Sequence, residues 1–210
     1  MKRWPLLLLA CLAACGDDSS GPRRVVDSEF AFDDPVGDTA LFAGGVDSFP
    51  ALDVRRVSGV VGADSLTFTM EFVDPVERAI TTVPNALIAT IAVDTDDDST
   101  TGLPLDADTT GGAFSFTGPF PARTGAGAEF FVFVDSISGS DAEVYSILTD
   151  QSVATFPMTY DEGTVTMQIP LAAFGIRAGN RFRVVGVIGN PQRLTDIIPD
   201  SASFEVGGAS

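Results

Sequence analysis

Alternation with a period of two dominates this chain. In Ser65-Leu66-Thr67-Phe68-Thr69-Met70-Glu71-Phe72, apolar residues take every second position, so Leu66, Phe68, Met70 and Phe72 share one face and polar side chains the other. That pattern predicts a half-buried antiparallel strand. Thr164-Val165-Thr166-Met167-Gln168-Ile169 repeats it, and Asp161-Glu162-Gly163 just before it carries turn chemistry. Residues 52–61 alternate less cleanly. Within them, Arg55-Arg56 is expected to send one side chain outward and the other toward a carboxylate. Ala86-Leu87-Ile88-Ala89-Thr90-Ile91-Ala92-Val93 is a continuous apolar run and reads as a buried strand. Further strands are expected over 25–32, 113–116, 129–134, 143–148, 153–158, 181–188 and 202–206. Turn signals fall about every ten residues, the spacing of a sandwich or barrel. No long 3.6-residue apolar period occurs, although 171–174 can form one helical turn. The prediction is an all-β fold: a single antiparallel β-sandwich, jelly-roll or immunoglobulin-like, of about 9–11 strands.

Phenylalanine is common, at 16 residues against 2 Tyr. Phe30, Phe32, Phe68, Phe72, Phe114, Phe116, Phe131, Phe133, Phe182 and Phe204 fall on expected strands, and the simplest role for them is to fill the space between two sheets.

The N-terminus does not share the alternation. Lys2-Arg3 precedes Leu6-Leu7-Leu8-Leu9-Ala10-Cys11-Leu12, an apolar core too short to span a bilayer. Leu12-Ala13-Ala14-Cys15 follows, then Gly16-Asp17-Asp18-Ser19-Ser20-Gly21-Pro22. This resembles a bacterial lipoprotein signal peptide, whose lipobox those first four residues match at each position. The resemblance implies cleavage before Cys15 and acylation of Cys15. Two or three acyl chains hold a protein on a membrane stably, where one chain is marginal. The chain then divides into a signal peptide (1–14), a lipidated Cys and flexible tether (15–24) and a β-sandwich domain (25–210). Gly16 rather than Asp after Cys15 favours the outer membrane, on its periplasmic or surface face, over retention at the inner one. Cys11 and Trp4 leave with the signal, so the mature chain has no free thiol, no disulfide and no Trp.

Charge narrows the partners. The formal net charge is −17 and the only Lys is Lys2. Such a surface repels phosphate backbones, which excludes nucleic acid as a partner. The chain has no His, which removes the commonest general base, the usual zinc and copper ligand, and every nucleophile that depends on a His partner.

The densest chemistry lies in Asp94-Thr95-Asp96-Asp97-Asp98-Ser99-Thr100-Thr101-Gly102, which follows the apolar run directly. Like charges about 4 Å apart repel by roughly 4 kcal/mol near a protein surface. A fold that gathers them leaves them in solvent or gives them a cation. Calcium takes six to eight oxygen ligands. Asp94, Asp96 and Asp98 alternate and converge if the loop curls, with Asp106 closing the shell after Gly102. Ser99 and Leu105 stand where an EF-hand requires Gly and Glu, so this is not an EF-hand. The competing reading is a solvated acidic loop that keeps a sheet edge soluble. Asp33, Asp34 and Asp38 form a second candidate cluster. Calcium at either would be structural, because an ion that binds only the folded state stabilises it.

Several blocks also occur in a familiar order: Asp33-Asp34-Pro35-Val36-Gly37-Asp38, Leu52-Asp53-Val54-Arg55-Arg56-Val57, Leu66-Thr67-Phe68, Val93-Asp94-Thr95-Asp96 with Thr101-Gly102, Gly127-Ala128-Glu129-Phe130-Phe131-Val132, Val165-Thr166-Met167-Gln168-Ile169-Pro170-Leu171 and Thr195-Asp196-Ile197-Ile198-Pro199-Asp200. In that order the chain resembles the extracellular β-sandwich domains related to family 9 carbohydrate-binding modules and DOMON-like domains. The resemblance implies a sandwich fold and a binding role. Family 9 modules hold sugar between Trp side chains, which the mature chain lacks, leaving Tyr145 and Tyr160 as amphipathic aromatics. Haem-binding DOMON relatives use His or Met ligands. Here His is absent, and Met70 and Met167 alternate with Thr as core residues do.

The functional expectation is a lipid-anchored extracytoplasmic module that binds rather than catalyses, with carbohydrate as candidate ligand and calcium as candidate structural ion. The alternatives are a structural or protein-interaction lipoprotein with no small-molecule ligand, and a glycoside hydrolase working through paired carboxylates.

Overall fold

The computed structural model describes residues 28–39, 51–76, 86–105, 126–136, 141–177, 179–190, 193–199 and 203–207. The expected signal and tether (1–24), Cys15, Asp106, Phe114 and Phe116 lie outside these residues.

The regular structure of the described residues is nearly all strand: β1 (Ser28–Asp33), β2 (Val54–Val61), β3 (Ser65–Phe72), β4 (Ile88–Asp94), β5 (Leu103–Pro104), β6 (Gly127–Ala128), β7 (Phe130–Asp135), β8 (Asp141–Ser146), β9 (Gln151–Asp161), β10 (Thr164–Pro170), β11 (Arg181–Asn190), β12 (Arg193–Ile198) and β13 (Phe204–Gly207). The expected helical turn is there as a 3₁₀ segment, Leu171–Phe174, closed by the left-handed Gly175. Leu66, Phe68, Met70 and Phe72 on β3, and Val165, Met167 and Ile169 on β10, are all buried, as their alternation requires. The β9–β10 turn places Glu162 and Gly163 at φ 43° and 99°. A type I′ hairpin turn needs two consecutive positive φ values, and Gly163 reaches its value without strain.

Eleven of the strands form one antiparallel sheet in the order β1-β2-β3-β10-β9-β8-β7-β4-β11-β12, with β13 also paired to β11, while β5 and β6 pair separately. The sheet curls into a sandwich because β9 changes partner along its length. Its first part, Gln151 to Pro157, pairs with β8, and Met158 to Asp161 pairs with β10. Pro157 stands at the changeover, where a missing N–H disturbs the ladder least. The two halves face each other across one apolar core. Aromatic rings bring β13 against β1: Phe204 lies 4.5 Å from Phe32 and 6.2 Å from Phe30, centroid to centroid.

Two expectations change in detail. A bulge between Val54 and Arg56 breaks the alternation of β2. Both arginines therefore reach the surface, Arg55 pairing with Glu71 and Arg56 with Asp33. Not every Phe fills the space between the halves, either. Phe131 is buried on the outer side of its sheet, in a second apolar cluster with Ala92, Val185 and Val187, beneath Leu105, Ala126 and Ala128. The central strands β4, β7 and β11 are thus covered on both faces, which explains their continuous apolar runs.

Candidate functional site

Six residues separate Ile88 from Asp94 along β4, about 20 Å at strand rise. Asp94 pairs with Arg183 at one end of β11, whereas Ile188 near the other end pairs with both Ala89 and Asp196. Two groups of carboxylates therefore occupy opposite ends of the sandwich.

The first group grows from β4. Asp94 is 1% exposed. Its Oδ1 accepts the Asp97 N–H at 2.8 Å and its Oδ2 the Gly127 N–H at 3.1 Å. The loop winds tightly, with Asp97 at φ 59° and Gly102 at φ 62°. At Glu129 the chain leaves the β6 pairing and enters β7. Its amide donates to Val93 O, its carbonyl accepts from Ile147, and its carboxylate turns toward the loop. Glu129 Oε2 accepts the Thr95 N–H at 2.8 Å, and Oε1 accepts the Thr101 hydroxyl at 2.9 Å. Asp94, Asp96 and Glu129 each bring one carboxylate oxygen within 4.8 Å of the others.

Of the predicted ligands Asp94, Asp96, Asp98 and Asp106, the convergent group holds the first two. Asp98 Oδ1 is engaged by the Thr100 amide at 2.9 Å and the Thr100 hydroxyl at 2.6 Å. Those donors hold the Asp98 carboxyl below the usual range. Asp97 pairs with Arg183. Burial raises the Asp94 carboxyl against the opposing pull of the Gly127 and Asp97 amides, and burial likewise raises Glu129 against the Thr95 amide. Amides and hydroxyls thus close this loop from within. Glu129 escaped the sequence reading, although it is the one charged residue in Gly127-Ala128-Glu129-Phe130-Phe131-Val132.

Gly127 is the packing point beneath the loop. A Cβ there would lie 2.0 Å from Thr101 O and 2.9 Å from Asp98 O, both backbone atoms that cannot rotate away. Gly127→Ala should therefore push the loop off β6 at a cost of about 2 kcal/mol. Gly37→Ala, where nothing stands within 4 Å but φ is +89°, tests backbone strain alone. Urea denaturation of both variants checks the assignment, and Gly127→Ala equal to wild type would refute it.

The second group lies at the other end. Asp34, Asp38 and Asp196 each place a carboxylate oxygen within 4.8 Å of the others. Asp33, expected with Asp34 and Asp38, instead faces outward to Arg56. Asp196 takes its place from 158 residues beyond Asp38. Asp196 is 1% exposed and links the two halves of the sandwich: its Oδ2 accepts the Val54 N–H at 2.7 Å, and its Oδ1 the Ile197 N–H at 2.8 Å. Beside it, the Thr195 hydroxyl donates to Leu52 O at 2.6 Å. Asp53 is 8% exposed, and its Oδ2 accepts the Gly37 N–H at 2.8 Å. Burial, then the charges of Asp38 and Asp53, push the Asp196 carboxyl up to about 7 despite its two amide donors.

The two tyrosines occupy different environments. Tyr160 packs against the main core, its hydroxyl 3.9 Å from Met158 Sδ. Tyr145 lies on the outer face of β8, half-buried, with its ring centroid 5.9 Å from that of Phe133. Its hydroxyl donates to Asp150 in the β8–β9 hairpin. That bond, then partial desolvation and the charges of Asp150 and Glu143, raise the phenol and keep it a donor. The same hairpin exposes Leu148, and Val153 beyond it on β9 is exposed too.

No family model matches the chain, and comparison with curated proteins returns no match.

Proposed function

We propose that this chain is a lipid-anchored extracytoplasmic module that binds carbohydrate and performs no catalysis. The observation that carries the reading is Tyr145. Its ring stacks at a tilt on Phe133 beside two carboxylates, Asp150 and Glu143. Sugars present apolar C–H faces rimmed by hydroxyls. A flat, half-exposed aromatic surface next to strong acceptors offers a partner to both. Binding sites commonly combine such an apolar floor with a few placed polar groups. The anchor is Cys15, set in Leu12-Ala13-Ala14-Cys15, and the Gly/Ser/Asp-rich tether after it gives the domain reach from the lipid.

The test is a glycan array followed by affinity electrophoresis on the soluble fragment beginning at Gly16. The wild-type fragment is expected to retain at least one glycan class. Tyr145→Ala should weaken that retention about tenfold, equivalent to about 1.4 kcal/mol. Tyr145→Phe, which keeps the ring and loses the hydroxyl, should fall between the two. A wild-type fragment that retains no glycan overturns the reading, and an unaltered Tyr145→Ala moves the site elsewhere.

A further inference from the structure

Beside the cluster opposite the acidic loop is a buried atom that the protein's own hydrogen bonds leave unexplained. Asp53 is more than nine-tenths buried, and while its Oδ2 takes the Gly37 amide, its Oδ1 is buried with no hydrogen-bond donor. A buried carboxylate oxygen without a donor is costly, because desolvation is not offset. Asp53 stands close enough to Asp196 for its charge to act on it, and Gly37 adjoins Asp38 in sequence. A second buried carboxylate thus stands beside the three, Asp34, Asp38 and Asp196, whose oxygens lie within 4.8 Å of one another.

That spacing suits an ion. Calcium–oxygen distances of about 2.3–2.6 Å allow two ligands of one shell to stand up to about 5 Å apart. The donors are hard oxygens from an irregular loop (Asp34, Asp38), the residue before β2 (Asp53) and a strand of the other half (Asp196). Such a set fits calcium, which tolerates irregular geometry, better than magnesium, which demands a near-ideal octahedron.

We propose that Asp34, Asp38, Asp53 and Asp196 form a calcium site that ties the β1–β2 end of the sheet to β12, with Asp53 Oδ1 as the ligand that the protein alone does not satisfy. The ion neutralises carboxylates held together from distant parts of the chain. It binds only the folded protein and so stabilises it. The cross-link it makes runs alongside the existing Val54–Asp196 and Leu52–Thr195 hydrogen bonds.

The experiment uses the full-length protein in detergent, stripped with chelator and then titrated with calcium and with magnesium. Isothermal calorimetry and thermal denaturation are read in parallel. Calcium should bind and raise the midpoint, with magnesium at least tenfold weaker. Asp53→Asn and Asp38→Asn should each weaken calcium at least tenfold. Asp38 is exposed, so its variant folds even where a buried substitution does not. Asp96→Asn, at the opposite end, should leave this binding intact. The absence of heat and of a midpoint shift with calcium overturns the site. So does binding that survives Asp38→Asn and Asp53→Asn but disappears with Asp96→Asn, which would assign the ion to the β4 loop. Tyr145→Ala binds calcium normally whether or not the glycan reading holds.

Discussion

Phe68→Ala is expected to lower the free energy of unfolding by about 4 kcal/mol, the range for removing a fully buried aromatic side chain together with the cavity it leaves. Phe68 is 1% exposed on β3, a strand paired on both sides. Its ring lies 6.2 Å from Phe30 on β1 and 6.4 Å from Phe204 on β13. Those two strands are where the curled sheet returns upon itself. Removing the ring therefore opens a void at the seam that converts a sheet into a sandwich. Little can collapse into that void, because both neighbours are fixed by their own ladders. Phe133, half-buried on the outer face, is the control: its loss should cost less than half as much. Urea denaturation followed by circular dichroism measures both. Equal losses in the two variants would mean that Phe68 does not hold the seam.

That seam also marks how far the fold could be read from the sequence. The period-two pattern identified β3 and β10 with their buried faces, because one face of each meets the core and the other meets water. It could not show that the two layers are halves of one sheet. The partner change of β9 depends on register with two other strands, and a sequence shows register only where a turn fixes it, as at Glu162-Gly163. The strand β12 was missed for a related reason. Thr195 and Asp196 are fully buried polar residues in the middle of it, so it lacks the alternation that would have identified it.

The sites followed the same division. Contiguous clusters such as Asp94-Thr95-Asp96 were legible, whereas their long-range members were not. Glu129 joins Asp94 and Asp96 across 33 residues or more, and Asp196 joins Asp34 and Asp38 from the far end of the domain. Asp33 was misassigned because adjacent strand residues point to opposite sides, and Arg56 captures the outward one.

Asp196 makes the calcium-free protein less stable as pH rises. Its carboxyl goes from the ordinary value of 3.8 to about 7 in the folded state, through burial and the charges of Asp38 and Asp53. Below about pH 4 the group is protonated in both states, and its contribution to stability is fully present. Between about 4 and 7 the folded protein holds a proton that the unfolded chain has released, so stability falls as pH rises. Above about 7 both states are ionised and the loss is complete, on the order of 4 kcal/mol. Asp94 and Glu129 are raised as well and act with the same sign, while the lowered, exposed Asp98 acts with the opposite one. Asp196→Asn isolates the contribution of this residue. An amide cannot ionise, but it offers only one oxygen to the Val54 and Ile197 donors, so the variant should start lower at pH 5 and fall much less by pH 8. Urea unfolding at the two pH values in chelator measures the difference, and a variant that falls as steeply as wild type would assign the slope to other groups. Calcium added at pH 8 should restore wild type and not the variant, because the charge that is costly to bury alone is the charge the ion binds.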